Sequence, residues 1–345
     1  MATLSLPPCK RLLLLGGGGM VLRLARWGLE VGFEVQVITA PRHAQSPVAE
    51  GQTLVEALGK LDVDFVVLES LDGALADQAI GSMHDTFALS IWAPWTLDRQ
   101  TIAQRFDDRL FNLHGTRLPR DRGGGGFSWR ILAGDRFGLS LLQRMEGHMG
   151  REMDMGEVVA FQEFLFPPSC RTPQDYQALQ ETWDFRLVTE ILKHLLKKSL
   201  SFTPHPQPDY LASQWPRLHT PTHAWLDWSW SGEMIERFIC AFDDPHPGAG
   251  TYLEEEPVRL KKAMLSGGEG GFHPFQGGIV FRKNSRWLSI AVPGGVLVVE
   301  EIYSNDGEDI LKKIKVGDRF HTPPEKLSQW AWPVDYTPGG VVGKR

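Results

Sequence analysis

The chain has 345 residues, enough for two domains or for one with a large appendage, and its 42% hydrophobic and 23% charged content is that of a globular protein with a real core. No apolar run approaches the roughly 18 residues of a membrane span, and the apolar opening at 12–15 is too short for a signal-peptide core. Cys9, Cys170 and Cys240 show no CxxC spacing, which argues against a disulfide framework or zinc site and fits a reducing cytoplasm, while a net charge of −6 gives no sign of a polyanion-binding surface.

Residues 11–15 followed by glycines 16–19 read as a buried strand and a tight turn. Val21, Leu24, Ala25, Trp27 and Leu29 then recur with helical periodicity, and 33–39 returns to strand. This βαβ opening predicts an α/β fold with a mainly parallel sheet and helices on its faces. A short helix at 54–61, a strand at 65–68, a helix at 102–106 and a strand at 110–113 continue the alternation. Two further strands, 138–145 and 158–166, flank the loop that carries Asp154. Thr172-Pro173-Gln174-Asp175 has the form of a capping box, and Tyr176, Leu179, Trp183, Leu187, Ile191 and Leu195 behind it mark a long amphipathic helix. Residues 201–222, rich in proline and histidine, read as an inter-domain linker. The expected division is therefore 1–200 as the first domain and 223–345 as a β-rich, barrel-like second domain. In the latter, one helix at 232–242 precedes strands separated by glycine pairs.

The stretch with most chemistry in it is 110–156. Side chains alternate along a strand, so Phe111 and Leu113 share one face while Asn112 and His114 share the other. At the carboxyl end of a parallel strand that second face opens into a ligand crevice. There an amide and an imidazole side by side can both donate to a developing oxyanion. Asp154, on a glycine-flanked loop, could reach the imidazole and relay protons. Against this, a lone His at a strand end most often only satisfies backbone groups. A metal site from His114, His148, Glu152 and Asp154 matches no ligand signature.

Asn112-Leu113-His114-Gly115-Thr116, then Leu118-Pro119, Arg122-Gly123, Trp129, and finally Glu152-x-Asp154-x-Gly156 resemble the folate-dependent formyltransferase family. The family includes methionyl-tRNA, glycinamide ribonucleotide and sugar N-formyltransferases. The resemblance is strongest over about 85–165 and returns weakly from Leu226-Asp227-Trp228-Ser229 to Pro247-Gly248-Ala249. It implies a Rossmann-like catalytic domain, a small barrel-like C-terminal domain, and N10-formyltetrahydrofolate as cosubstrate with no metal. It also implies Asn112, His114 and Asp154 as the catalytic set: an uncharged amine attacks the formyl carbon, Asn112 and protonated His114 stabilise the oxyanion, and Asp154 supports His114. The family often has Gly-Ala-x-Pro where this chain has Gly123-Gly124-Gly125-Gly126, which looks closer to the sugar-modifying members.

Other features are read beside their plainer alternatives. Glycines 16–19 lack a G-x-G-x-x-G register, which favours a tight turn over a dinucleotide site. Arg117, Arg120 and Arg122 form either a solvated loop or a clamp for an acceptor phosphate or carboxylate, with Gly123 and Gly124 allowing close approach. The tryptophans 225, 228 and 230 are core or interface by default and base-stacking groups otherwise. The leading expectation is a cytoplasmic enzyme acting on a small amine, a nucleotide-linked amino sugar, and the resemblance implies a homodimer as in many family members. Methionyl-tRNA is the competing acceptor, although a nucleic-acid partner should bring a basic surface. A siderophore-type hydroxylamine, a nicotinamide-dependent oxidoreductase and a non-catalytic binding relative remain open.

Overall fold

The computed structural model describes residues 3–49, 51–124, 126–147, 156–269, 271–337 and 340–342. The chain forms two compact units: Met1–Gly123 with Gly138–Phe164 and Leu179–Gln214, and Gly124–Phe137 with Leu165–Ala178 and Trp215–Arg345. Residues 124–137 and 165–178, expected in the first domain, thus group with the second unit, and 201–214 of the expected linker group with the first. Among the described residues no helix is long and apolar enough to cross a membrane.

The first unit is built on a seven-stranded sheet. Its strands are β1 (Arg11–Gly16), β2 (Glu34–Thr39), β3 (Asp64–Val67), β4 (Thr86–Ile91), β5 (Leu110–His114), β6 (Phe137–Arg144) and β7 (Val158–Leu165), in the order β7-β6-β5-β4-β1-β2-β3. Strands β1 to β5 are parallel in the doubly wound order 3-2-1-4-5, and β6 joins β5 antiparallel. The expected α/β fold with a mainly parallel sheet is what forms.

Alternation assigns the two faces. Leu12, Leu14, Val35, Val37, Phe87, Leu89, Phe111 and Leu113 pack on one side with α1 (Gly18–Val31) and the long helix Pro173–Leu195, whose Leu187, Val188, Ile191 and Leu192 are buried there. Leu13, Leu15, Ile38, Ala88 and Leu110 pack on the other, against the helices Ala74–Ile80 and Arg99–Phe106. Burial on both faces explains why these strands read as nearly continuous apolar runs. Between β1 and α1 the chain turns at Gly16, where φ is +126° and a Cβ would stand 1.9 Å from the Ile91 carbonyl oxygen. Only glycine fits that turn, and it closes the glycine run as the tight βα connection the sequence suggested.

The proline-rich stretch after the long helix is laid along this unit. Leu200–Phe202 pairs antiparallel with Leu4–Leu6, and His205 exchanges backbone hydrogen bonds with Val158 at 2.8 and 3.0 Å. Prolines here remove backbone donors, so the few remaining polar groups make the attachments.

The second unit holds a six-stranded antiparallel sheet, curled as a half-barrel, of β8 (Ala249–Leu253), β9 (Glu256–Ser266), β10 (Val280–Lys283), β11 (Leu288–Val292), β12 (Gly295–Ser304) and β13 (Phe320–His321), in the order β10-β11-β12-β9-β8-β13. The expected capping box is present: the Thr172 N–H donates to Asp175 Oδ2 at 2.9 Å, and the Asp175 N–H to Thr172 Oγ1 at 3.2 Å. Arg171 beside it donates to Glu236 Oε1 and to the Ala263 carbonyl, both at 2.6 Å. Trp225 and Trp228 are buried, and Trp228 stacks on Phe320 while its Nε1 donates to Thr251 at 2.9 Å. The default reading of these two tryptophans as core is the correct one.

In the first unit, one acid is buried in the packing of the long helix. Asp184 accepts a 2.7 Å hydrogen bond from Gln180 Nε2, and burial pushes its carboxyl up from 3.8 to about 7. The folded chain therefore holds this proton more tightly than the unfolded one. The group's contribution to stability is complete below about pH 4 and is lost as pH rises through about 7. Asp184→Asn keeps an acceptor for Gln180 and removes the charge. We expect the variant to gain on the wild type across that window, by up to about 4 kcal/mol at pH 8. Parallel curves of thermal midpoint against pH for the two proteins would refute this.

Candidate active site

Strand β5 sits between β4 and β6, and its register fixes the polar pair. Asn112 lies opposite Ser90 on β4 and Gln143 on β6, while His114 lies opposite Leu141. Phe111 and Leu113 are buried in the core, and Phe111 stacks on Phe87 with ring centroids 5.0 Å apart. Asn112 and His114 are half-buried on the opposite face, at the carboxyl end of the strand. A side-chain amide and an imidazole, two residues apart, thus share one face of the strand as alternation requires.

Immediately after the strand the chain closes into a small knot. Thr116, itself buried, has its Oγ1 2.7 Å from His114 Nε2 and 2.6 Å from the Asp121 carbonyl oxygen. The Asp121 N–H returns to the Arg117 carbonyl at 2.7 Å, and Arg117 Nε donates to Asp121 Oδ2 at 2.9 Å. The salt bridge is an i,i+4 pair with both side chains largely covered.

Beyond the knot Arg122 is buried. Its Nε and Nη2 donate to Gln207 Oε1 at 3.1 and 2.9 Å. The Gln207 amide passes the connection on, its Nε2 donating to the Gly156 carbonyl at 2.6 Å. Gln143 Nε2 donates to the same oxygen at 3.0 Å. Gly156 cannot carry a side chain, since a Cβ would lie 1.8 Å from the Arg144 carbonyl oxygen. The last glycine of the Glu-x-Asp-x-Gly motif is therefore held from three directions, by Gln143, by Gln207 and by the backbone of β6.

The expected site residues fall as follows. Asn112 and His114 are adjacent. Asp154 lies outside the described residues, as do His148, Glu152 and Gly125. Of the three loop arginines, Arg117 is closed on Asp121 and Arg122 is buried against Gln207, while Arg120 is exposed. Gly123 directly follows Arg122, and Gly124 donates its N–H to the Trp215 carbonyl at 3.2 Å. Sequence reasoning did not single out Thr116, Gln143 or Gln207. Thr116 stood inside the quoted motif and Gln143 at a period-two position on β6. Gln207 had no signal at all, being one polar residue in a proline-rich stretch.

Residues 219–313 match a family model described as formyl transferase, C-terminal domain. Among curated relatives, the methionyl-tRNA formyltransferase of Coxiella burnetii is 29% identical over 192 residues, covering 55% of this chain and 57% of the relative. That of Dechloromonas aromatica is 29% identical over 220 residues, covering 61% and 66%. The matches to curated relatives thus span between about half and 70% of those proteins' length. Among solved structures, WlaRD, a sugar 3N-formyl transferase crystallised with dTDP and 5-N-formyl-THF, superposes with a TM-score of 0.64 at 16% identity, covering 86% of this chain and 98% of that one. The N-formyltransferase from Helicobacter canadensis, in complex with folinic acid and dTDP-3-aminofucose, gives 0.64 at 15% identity, covering 86% and 100%. HypX from Aquifex aeolicus, in complex with tetrahydrofolic acid, gives 0.52 at 17% identity, covering 94% and 52%.

The Arg122–Gln207 contact can be weighed separately. Gln207→Leu removes the acceptor of two charge-assisted hydrogen bonds and is expected to cost about 1.5–3 kcal/mol. Combined with Arg122→Met in a double-mutant cycle read by urea unfolding, the pair should show a coupling of at least about 1 kcal/mol. Additive losses would mean that the contact carries no stability.

Proposed function

We propose that this chain, kin to the folate-dependent formyltransferases in sequence and in fold, moves a formyl group from N10-formyltetrahydrofolate to the primary amine of a small acceptor. The observation that carries the reading is the placement of Asn112 and His114 on one face at the carboxyl end of β5. Attack of an uncharged amine on a formyl carbon places negative charge on the formyl oxygen. Two donors pre-set on neighbouring positions stabilise that charge without reorganising. Asn112 donates through its amide and protonated His114 through its ring. Asp154, at the family's matching position, supports the imidazole and helps carry the proton from the attacking amine toward the departing nitrogen. The bond formed is between acceptor nitrogen and formyl carbon, and the bond broken is between that carbon and N10, so no redox partner is required.

The acceptor we favour is a nucleotide-linked amino sugar. Two structural relatives that cover most of this chain were solved with dTDP or a dTDP-linked amino sugar, and both with a formylated folate. The acidic net charge of −6 suits a small acceptor better than a polyanion. Arg120, exposed in the loop three residues before Gly123, is the arginine we assign to the acceptor's phosphates. The competing reading, methionyl-tRNA as acceptor, has its own support in the curated relatives, which carry that name.

The test is release of tetrahydrofolate from N10-formyltetrahydrofolate in the presence of a panel of nucleotide-linked amino sugars, with initiator methionyl-tRNA alongside. Turnover with one sugar is expected, and Asn112→Ala and His114→Ala should each lower kcat by about 10²–10³ with much smaller changes in KM. Turnover with the tRNA alone would replace the acceptor. Folded protein silent across the whole panel would overturn the reading.

A further inference from the structure

We infer that Thr116 is a positioning residue that commits Nε2 of His114 as a proton donor, so that the proton His114 gains and loses during transfer is the one on Nδ1. The inference rests on the role given to His114 above and adds which of its two nitrogens does the exchanging.

The argument is a count of protons. A threonine hydroxyl has one proton to give and lone pairs to receive others. Thr116 Oγ1 lies at hydrogen-bonding distance from two atoms, the Asp121 carbonyl oxygen at 2.6 Å and His114 Nε2 at 2.7 Å. The carbonyl oxygen can only accept. Were the hydroxyl proton turned toward the ring, two oxygens would face each other at 2.6 Å with no hydrogen between them. The proton therefore goes to Asp121, and Nε2 must bring its own.

The surroundings make this choice hard to reverse. The Asp121 carbonyl is not free to swing away, since the Arg122 N–H in the same peptide plane is tied to the Ser213 carbonyl at 3.1 Å. Asp121 itself is tied to Arg117 through its N–H at 2.7 Å and its carboxylate at 2.9 Å. Thr116 is only 9% exposed, so water cannot readily substitute for either partner.

Neutral His114 is consequently the tautomer with its proton on Nε2, and protonation for the oxyanion role adds the second proton at Nδ1. The bond to Thr116 survives both states and strengthens when the ring is charged. Fixing one ring nitrogen by a hydrogen-bond acceptor so that the other does the chemistry is a general way of setting histidine roles.

Heteronuclear NMR of the whole chain labelled with 15N-imidazole histidine decides the matter, with the His114 signals assigned by difference against His114→Gln. At a pH where the ring is neutral, the wild type should show a protonated Nε2 and an unprotonated Nδ1. Thr116→Val, which keeps the shape and removes the hydroxyl, should give a mixed tautomer population, while Thr116→Ser should restore the wild-type spectrum. In the transfer assay the valine variant should lose about 10- to 100-fold in kcat with KM changed less than about twofold, again rescued by serine. A wild-type ring protonated on Nδ1 would overturn the inference, as would serine and valine variants that behave alike. The wild-type spectrum needs no variant to fold and no turnover. Absence of formyl transfer with the expected tautomer would thus sink the proposed reaction while leaving the role of Thr116 standing.

Discussion

Strand β5 has to satisfy a parallel neighbour on one side and an antiparallel one on the other, and this double constraint positions everything that follows it. Its apolar residues settle the register. Phe111 must stack on Phe87 and Leu113 must reach the core under the long helix, because exposing either would forfeit about 1.5–3 kcal/mol of burial. A slip by one residue would move both to the opposite face and push Asn112 and His114 into the core under the long helix. The place of the polar pair is thus a by-product of burying the apolar pair.

The loop beyond the strand is held by hydrogen bonds and has no core of its own. The knot of Thr116, Arg117 and Asp121 uses short local hydrogen bonds, and the chain of Arg122, Gln207 and Gly156 reaches across segments distant in sequence. Each bond adds only about 1 kcal/mol net. Their joint effect is geometric, since together they fix the course of the chain beyond β5. The same bonds account for two of the three arginines in this loop, which serve its construction.

The second unit is held by a different balance. Its sheet is antiparallel and is packed by the helix Gly232–Ala241, with stacked aromatic pairs beside it: Trp228 on Phe320, Trp225 on Tyr252 and Trp230 on Trp330. One pair of charges is buried there: Lys261 lies 3.7 Å from the nearly inaccessible Asp243 and also bonds to the more exposed Asp244, as buried charges must be compensated. The partly exposed Arg171 bonds to Glu236. Many tryptophans in one stretch therefore mark packing in this chain.

What the sequence determined by itself was everything governed by local period and local chemistry. The 3.6-residue and two-residue repeats announced α1, the long helix and six of the seven strands of the first sheet, but not the strand Thr86–Ile91 or the helices Ala74–Ile80 and Gly126–Ala133. The Thr172–Asp175 box announced a helix start, and alternation along β5 put Asn112 and His114 on one face. Tertiary structure decided what depends on partners far away in the chain. Gln207 meets Arg122 across 85 positions and Gly156 across 51, distances over which sequence pattern carries no information about contact. The path of residues 201–214, expected as linker and grouped with the first unit, was decided in the same way, by pairing with Leu4–Leu6 and Val158. Even Thr116, two residues from the histidine it orients, was readable only once the fold had brought the Asp121 carbonyl to its other side. A hydroxyl's role is set by which of its neighbours lacks a proton, and that is a property of three dimensions.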